Sequence, residues 1–394
     1  MTLIAESGAL AAFCRRQHPA EFVAIDTEFM RDKTYWPQLC LVQVAGPEEA
    51  AAIDTLAPGI DLDPLLGLLA DSKLLKVFHA ARQDIEIFYH MTKRIPAPLV
   101  DTQVAAMVCG FGDAVSYENL AAKLAGARID KSSRFTDWAH RPLTDRQLQY
   151  ALSDVTHLRP TYEHLKRRLA KTGRADWVCE EMAVLTDPAT YRLEPREAWR
   201  RIKFRTDKPR MLAVLREVAA WREEEAQRRD LPRNRVLRDE TLCEIAAHAP
   251  SDVEHLARCR GLSRSIAENR QGAQILAAVR RGLDLPAGEC PEPAPRRDLP
   301  SGLGPLIELL RVLLKMRCEE NGVAQKLIAS ADDLELIAAD DGAEVPALHG
   351  WRREIFGADA LALKHGRLAL TVVGRRVKVV PVPAGQSMAH QTAP

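Results

Sequence analysis

The sequence has few of the features that mark zinc-binding, secreted or membrane proteins. Its eight cysteines are dispersed, with no CxxC pair and no cysteine–histidine cluster at the spacing of zinc ligands. No apolar stretch reaches the ~18 residues that a membrane span needs. The arginines of the first segment follow its apolar stretch, whereas those of a secretory signal precede it. We therefore expect buried free thiols in a reducing compartment and a cytoplasmic protein with no membrane contact.

The chain also has almost no net charge, because 55 Lys and Arg offset 54 Asp and Glu. The balance is uneven, since residues 200–282 hold 19 basic against 12 acidic residues, a net charge of +7. A basic segment joined to an acidic remainder favours a polyanionic partner, although a basic face can also be plain solvation. The sequence has no heptad pattern and no large apolar stripe, so a monomer is expected.

The length of 394 residues predicts more than one domain, because a single hydrophobic core stops growing at ~250–300 residues. In the first half of the chain, short β-rich runs alternate with helical periodicity. This alternation predicts an α/β domain over residues 1–200, with a mixed sheet flanked by helices. The predicted strands cover residues 21–26, 38–46, 50–54 and 74–80, and the predicted helices cover 63–71, 81–91, 104–110, 117–126 and 144–173.

Beyond residue 205 the pattern becomes helical and predicts all-α domains. Helices are predicted at 208–230, 241–248, 252–258, 263–281 and 304–322, followed by a β-like or extended segment at 368–383. The resulting domains are a helical domain over 205–285, a Pro-rich linker over 286–302, a second helical domain over 303–380 and a disordered tail over 381–394.

Several acidic residues stand where they could share one site. Asp26 and Glu28 lie two residues apart at the end of an apolar run, so on an extended strand they point to one face. Tyr150 and Asp154 lie four residues apart on one helical face, and Asp84 lies near the start of a helix. Taken alone, each of these residues is also explained by a structural role in a turn, a helix cap or a surface pair. Together, four carboxylates would suit two divalent ions and phosphodiester hydrolysis.

Three segments carry a resemblance to a known family. IDTEFMRDKTYWPQLCLVQVA (25–45), KVFHAARQDIEIF (76–88) and DKSSRFTDWAHRPLTDRQLQYALSDVTHL (130–158) resemble the three exonuclease motifs of ribonuclease D, in the DEDD superfamily. The resemblance implies a ribonuclease H-like fold and 3′→5′ hydrolysis of RNA such as tRNA precursors, with release of nucleoside 5′-monophosphates. Gln149 stands where the sister branch of the superfamily has histidine, so the tyrosine branch is favoured.

The resemblance also assigns catalytic roles to five residues. Asp26, Glu28, Asp84 and Asp154 would hold two divalent ions, Mg²⁺ or Mn²⁺. Tyr150 would orient the attacking water, because a phenol with a pKa of about 10 acts better by hydrogen bonding than as a free base.

Three further residues are expected to contact the substrate. By family analogy Lys131 would hold a phosphate, although a solvated loop lysine accounts for it equally well. Thr27 and Phe29 flank the first two carboxylates and would line the pocket of the terminal nucleotide, where Phe29 offers a stacking face.

Residues 221–262 resemble the HRDC domain, a small helical module that follows the exonuclease in ribonuclease D and binds nucleic acid. Its basic residues would bind RNA phosphates without reading sequence, and they include Arg228, Arg229, Arg233, Arg235 and Arg238. A helical bundle with a merely basic surface is the alternative. Residues 303–380 take the place of a second, degenerate HRDC-like domain, whose acidic runs argue against a strong nucleic-acid face.

Two other functions stay open on the sequence alone. A DNA-directed 3′→5′ exonuclease would use the same chemistry, because only contacts to the ribose distinguish the substrates. An RNA-binding scaffold with an inactive nuclease domain would be indicated by the loss of a carboxylate ligand, and none is lost. A helicase, another context of the HRDC domain, is disfavoured because the chain has no GxxxxGK[ST] phosphate loop.

Overall fold

A mixed six-stranded sheet organises the first half of the chain in this computed structural model, which describes residues 2–293 and 300–383. Its strands are β1 (Leu3–Ile4), β2 (Phe22–Met30), β3 (Gln38–Ala45), β4 (Ala50–Asp54), β5 (Leu75–Phe78) and β6 (Leu99–Asp101). They lie in the order β1–β4–β3–β2–β5–β6. Strand β3 runs antiparallel to both of its neighbours, and the other pairs are parallel. The mixed sheet predicted from the sequence is therefore confirmed.

Helices cover both faces of this sheet. They are α1 (Ser7–Gln17), α2 (Asp63–Ala70), α3 (Arg82–Thr92), α4 (Thr102–Val108), α5 (Tyr117–Ala125), α6 (Asp145–Thr156), α7 (Leu158–Thr172) and α8 (Ala175–Thr186). On one face Val23 and Ile25 of β2 join the main core with α1 to α4. On the other face Ala24 of β2 packs against Val155 and Leu158, where α6 ends and α7 begins. Alternate residues of β2 thus face different helix layers.

The helix predicted over 144–173 is divided into α6 and α7 at His157. Pro160 lies at the third position of α7, and proline is tolerated in the first turn of a helix but not inside one, because it has no amide hydrogen. At the other end, Thr144 and Gln147 form a capping box that begins α6. Local residues therefore determine both ends of α6.

Two helical domains follow. The second domain contains α9 (Pro209–Arg229), α10 (Arg233–Val236), α11 (Asp239–His248), α12 (Val253–Ala257), α13 (Arg264–Ala267) and α14 (Arg270–Asp284). The third contains α15 (Gly304–Asn321), α16 (Gln325–Ile328), α17 (Ala331–Ala339), α18 (Gly350–Arg352) with a π-helical turn (Arg353–Gly357), α19 (Ala358–Lys364) and the hairpin of β7 (Leu368–Val373) and β8 (Arg376–Pro381). The hairpin corresponds to the β-like segment expected at 368–383. Residues 294–299 of the predicted linker and 384–394 of the predicted tail lie outside the described residues.

Short 3₁₀ turns occur between these helices, at Lys131–Ser133, Pro188–Tyr191, Pro195–Arg201, Ala287–Glu289 and Pro346–Leu348. The turn at Pro195–Arg201 packs along α9, and Trp199 and Ile202 join the core of the second domain. The chain therefore enters the second core before its first long helix begins.

No helix in the described ranges is long and apolar enough to cross a membrane. All eight cysteines are free, as expected. Five of them are buried, whereas Cys179 is exposed on α8 and Cys243 and Cys290 are partly exposed. The expectation of buried thiols thus holds for five of the eight.

The loop between β2 and β3 binds the second domain. The buried Tyr35 hydroxyl donates a hydrogen bond to the Glu223 carboxylate and accepts one from Arg233 Nη2 at 2.9 Å. The carboxylate of Asp230 accepts hydrogen bonds from the backbone amides of Tyr35 and the next residue, both at 3.0 Å. Because this loop continues β2, the second domain is attached to the strand that carries the first two acidic residues of interest.

The third domain packs back onto the first. The Ala324 amide donates to a carbonyl oxygen near the end of α4 at 2.9 Å, and the rings of Trp177 and Trp351 stack with centroids 4.2 Å apart. At Gly110, where φ is +77°, the backbones approach so closely that an added Cβ would lie 2.5 Å from the carbonyl oxygen of Gly322. This contact therefore requires glycine at position 110.

Gly110→Ala is expected to loosen the third domain. Overpacking against a backbone carbonyl costs about 1–3 kcal/mol. Gly59→Ala is the matched control, because Gly59 has a similar φ of +74° and no atom within 4 Å of an added Cβ. Thermal unfolding should begin at a lower temperature for Gly110→Ala than for the control, and hydrogen exchange should accelerate at the Ala324 amide. Equal effects of the two substitutions would contradict the close packing.

Candidate active site

Strand β2 places two carboxylates on the face of the sheet that α6 covers. The strand continues to Met30, beyond the run predicted to end at residue 26, so Asp26 and Glu28 lie inside it. Together with Ala24 they are every second residue of the strand, so they share its face, and Ala24 packs under α6 and α7. The pairing with β3 shifts by one residue immediately after Glu28. The unpaired residue is Cys40 of β3, and a bulge of this kind bends and twists the strand that contains it, here next to the carboxylates of β2.

Helix α6 brings a third carboxylate to the same place. Asp154, Asp26 and Glu28 each offer a carboxylate oxygen, and these atoms lie within 4.8 Å of one another. Tyr150 lies one helical turn before Asp154, and both residues line the same cleft. The structure thus brings together four of the residues singled out in the sequence.

The fourth carboxylate, Asp84, lies in the first turn of α3 and is buried. It accepts a hydrogen bond from the Thr27 hydroxyl. It is not part of the group of three, but it lines the same cleft, and the charge of Asp26 acts on it. The position of α3 is held by Asp101, whose carboxylate accepts hydrogen bonds from two backbone amides just before the helix, both at 2.9 Å.

All four carboxylates are hard to ionise. Burial raises the pKa of Asp26 to about 7, and burial together with neighbouring carboxylates raises that of Glu28 to about 10 and that of Asp154 to about 8. Burial and the charge of Asp26 raise the pKa of Asp84 well above its usual range. Carboxylates this close repel one another, and a cation between them would remove the repulsion. Oxygen ligands are those that hard divalent cations prefer, so this donor set fits a divalent metal site.

A buried amide beside the carboxylates supports the same conclusion. Gln43 of β3 is fully buried and lies opposite Asp26 in the sheet register, so both side chains project from one face. Among the described residues, neither its Oε1 nor its Nε2 finds a hydrogen-bond partner. Buried polar groups nearly always have one, and the water shell of a bound ion would provide it.

The carboxylates and Tyr150 line an open cleft of about 970 Å³. Sequence reasoning did not assign several other residues of the cleft to the site, namely His79, Tyr117, Arg134, Phe135 and Trp138. The Tyr117 hydroxyl donates to a backbone carbonyl of α6 at 3.0 Å, and the charge of Arg134 lowers the pKa of both Glu28 and Asp154. An arginine next to a phenylalanine in an otherwise polar loop was the signal available for Arg134 and Phe135.

The three expected substrate contacts have different surroundings. Thr27 is buried and its hydroxyl is engaged with Asp84, so its role in this structure is to hold that carboxylate. Phe29 is partly exposed and lines the cleft. Lys131 begins a 3₁₀ turn, and its side chain lies outside the described residues.

Arg233, one of the five arginines expected to bind RNA, is occupied between the first two domains. Its guanidinium contacts the Glu223 carboxylate at 2.5 Å and stacks over the Tyr35 ring, with 4.7 Å from the guanidinium carbon to the ring centroid. Its contacts with the Tyr35 hydroxyl and ring join the second domain to the first, whereas its ion pair with Glu223 lies within the second domain, so Arg233 is not a free cation.

The other four arginines lie at the surface of the second domain. Arg228 and Arg229 both contact Glu225, at 2.7 and 3.7 Å. Arg235 and Arg238 are exposed and form no salt bridge within the described ranges. Of the five arginines expected to bind RNA, Arg235 and Arg238 are therefore the two without a carboxylate partner among the described residues.

Known proteins match this chain over almost its whole length. The family model for 3′-5′ exonucleases matches residues 1–170, and the model for the HRDC domain matches residues 211–279. Ribonuclease D from Gluconacetobacter diazotrophicus is 53% identical over 379 residues, with 96% of each chain covered. Ribonuclease D from Granulibacter bethesdensis is 52% identical over 382 residues, again with 96% of each chain covered.

A solved structure agrees with the fold as well. The crystal structure of Escherichia coli RNase D, described as an exoribonuclease involved in structured RNA processing, is 31% identical and has a TM-score of 0.78. The match covers 93% of this chain and 98% of that one. The resemblance seen in the three sequence motifs and the expected order of an α/β domain followed by helical domains are both confirmed. This chain therefore belongs to the ribonuclease D family of 3′→5′ exoribonucleases.

Proposed function

We propose that this enzyme trims the 3′ ends of structured RNA, such as tRNA precursors, by a two-metal mechanism that releases nucleoside 5′-monophosphates. The proposal rests on the cleft in which three carboxylates offer oxygens within 4.8 Å of one another, with Asp84 and Tyr150 beside them. The E. coli relative, described as involved in structured RNA processing, supports the substrate class.

The four carboxylates would hold the metal ions, Mg²⁺ or Mn²⁺. Asp26, Glu28 and Asp154 would bind one ion, because their oxygens already converge. Asp84 and Asp26 would bind the other, because Asp84 lies outside that group but within the electrostatic reach of Asp26. When bound, two such ions supply an activated water and stabilise the leaving 3′ oxygen. Thr27 contributes by holding Asp84 in place.

Tyr150 would orient the attacking water. Burial and the nearby carboxylates raise the pKa of its phenol, so the hydroxyl stays protonated at neutral pH. A protonated hydroxyl cannot remove a proton from water, but it can hold the water by a hydrogen bond. Its place on α6, one turn before Asp154, and its packing with Trp138 and Ala151 keep it beside the carboxylates.

Asp26→Asn is expected to lower kcat by at least about 10³-fold on a 5′-labelled tRNA with an extended 3′ end. It removes a ligand oxygen that both ions would share, worth several kcal/mol in the transition state, and each 1.36 kcal/mol is tenfold in rate. Asp32→Asn is the matched control, because Asp32 lines the same cleft outside the group of four. The wild type should give a 3′-shortening ladder with Mg²⁺ or Mn²⁺ and none with EDTA.

The same assay separates the alternative functions. A matched DNA strand should stay intact, because the proposed substrate is RNA. Shortening of the DNA at a comparable rate would favour a DNA-directed exonuclease. RNA binding without any ladder would leave an RNA-binding scaffold.

Tyr150→Phe is expected to lower kcat by about 10²-fold with little change in KM, because it removes the hydroxyl that orients the water and keeps the ring. The ring packs in the core formed with Trp138 and Ala151, so the melting temperature should change little. Steady-state kinetics on the same RNA would measure the effects on kcat and KM separately. A kcat equal to that of the wild type would exclude a role for the hydroxyl.

Without metal, stability should fall as pH rises. Asp26 and Asp154 have raised pKa values of about 7 and 8 in the folded chain, so they bind protons more tightly there than in the unfolded chain. The contribution of these two groups to the free energy of unfolding is therefore complete below about pH 4, and it is lost as pH rises through 7 to 8. In EDTA at pH 8, Asp26→Asn should melt above the wild type, by about 2–4 °C for each kcal/mol of repulsion relieved.

Added metal should reverse the order of the two melting temperatures at pH 8, so that the wild type melts above Asp26→Asn. Mg²⁺ or Mn²⁺ is expected to raise the wild-type melting temperature at pH 8 and to have little effect on Asp26→Asn. Below about pH 4 the two metal-free proteins should melt at similar temperatures, because Asp26 is then protonated in the folded chain and largely protonated in the unfolded chain. A metal-free variant that melts below the wild type at pH 8 would contradict the proposed repulsion.

A further inference from the structure

Phe135 is unusually exposed for an aromatic residue. Its side chain is 91% exposed, and the next most exposed large apolar residue in the described ranges is Val372 at 68%. Single apolar residues at a surface need no special explanation. Phe135, however, lines the same cleft as the carboxylates, together with Arg134 and Trp138. Its ring is thus available to whatever enters that cleft.

A hydrogen-bonded turn presents Phe135 and Arg134 to the cleft. The Thr136 amide donates to the Ser133 carbonyl at 3.3 Å, which closes a β-turn with these two residues at its centre. The Thr136 hydroxyl donates to the same carbonyl at 2.9 Å and accepts from Gln147 Nε2 at 3.2 Å. Gln147 belongs to the capping box of α6. The turn is therefore attached to the helix that carries Tyr150 and Asp154.

Arg134 adds a positive charge to the same turn. Its guanidinium carbon lies 5.3 Å from the centroid of the Phe135 ring. Its charge is felt at Glu28 and Asp154, which places it near the reaction centre. In the part of the chain that the structure describes, Arg134 forms no salt bridge. A cation with no paired carboxylate beside an exposed ring matches both parts of a nucleotide, its phosphate and its base.

We propose that the turn of Arg134 and Phe135 is a nucleotide-binding edge of the cleft, where Phe135 stacks on a base near the 3′ end of the RNA and Arg134 contacts the adjacent phosphate. This inference rests on the proposed function and adds to it. Every base has a flat face, so such an edge accepts any sequence. It requires a base free of its pairing partner, so the enzyme would act on unpaired 3′ ends and slow at a duplex.

Phe135→Ala is expected to raise KM for a single-stranded RNA by about 5- to 150-fold with a smaller change in kcat, the range that corresponds to about 1–3 kcal/mol for one stacked base. Phe135→Trp should restore KM, because the larger ring also stacks. Val184→Ala is the control, since Val184 is 62% exposed on α8 outside the cleft. Arg134→Ala should raise KM and reduce its dependence on salt.

Abasic RNAs distinguish stacking from a structural role of Phe135. Substrates that lack the base at one of the last four nucleotides are compared with the intact strand, by hydrolysis and by fluorescence binding in EDTA. At the contacted position, base removal should weaken wild-type binding about as much as Phe135→Ala does. The affinity of Phe135→Ala should not fall further when the base is removed at that position.

The two readouts keep this inference separate from the proposed function. Additive losses of affinity at all four positions would overturn the stacking contact even if the enzyme hydrolyses RNA normally. Coupled losses in EDTA would support the contact even if no hydrolysis of RNA were seen with metal.

Discussion

The mutual repulsion of four carboxylates, two of them buried and two partly buried, is the constraint around which the first domain is built. Asp26, Glu28 and Asp154 converge within 4.8 Å, and Asp84 lies close enough to feel the charge of Asp26. An arrangement of this kind works against folding. The surrounding structure offsets its cost with a large core, a capped α6 and the contacts that hold α3. In the function proposed above, stability is given up here for the ability to bind cations.

The sequence predicted the parts that depend on short-range pattern. Alternation of apolar residues located four of the sheet strands, and the two-residue spacing of Asp26 and Glu28 predicted their common face. The short strands β1 and β6, with two and three residues, carry too little pattern to be recognised. The break at His157 was missed because apolar periodicity continues across it, although Pro160 was a visible signal.

Long-range contacts were beyond the sequence. Nothing local indicates that the Thr27 hydroxyl reaches Asp84 or that Arg233 crosses to Tyr35, because each contact joins distant parts of the chain. The sequence alone does not distinguish an arginine that is exposed to solvent from one that pairs with a carboxylate. For the same reason, the exposure of Phe135 could not be read from a loop sequence, whereas the proposed catalytic carboxylates could be named from their motifs.

The contact at Tyr35 also limits how this protein can be recombined. The second domain meets the first through Glu223, Arg233 and Asp230, which together satisfy the hydroxyl and backbone of one loop. A helical domain from another protein would leave that loop with a buried phenol and no acceptor unless it supplied the same three side chains. The two domains therefore depend on each other at this contact. In relatives, a substitution at one of these positions should be tolerated only when the contacting positions change with it.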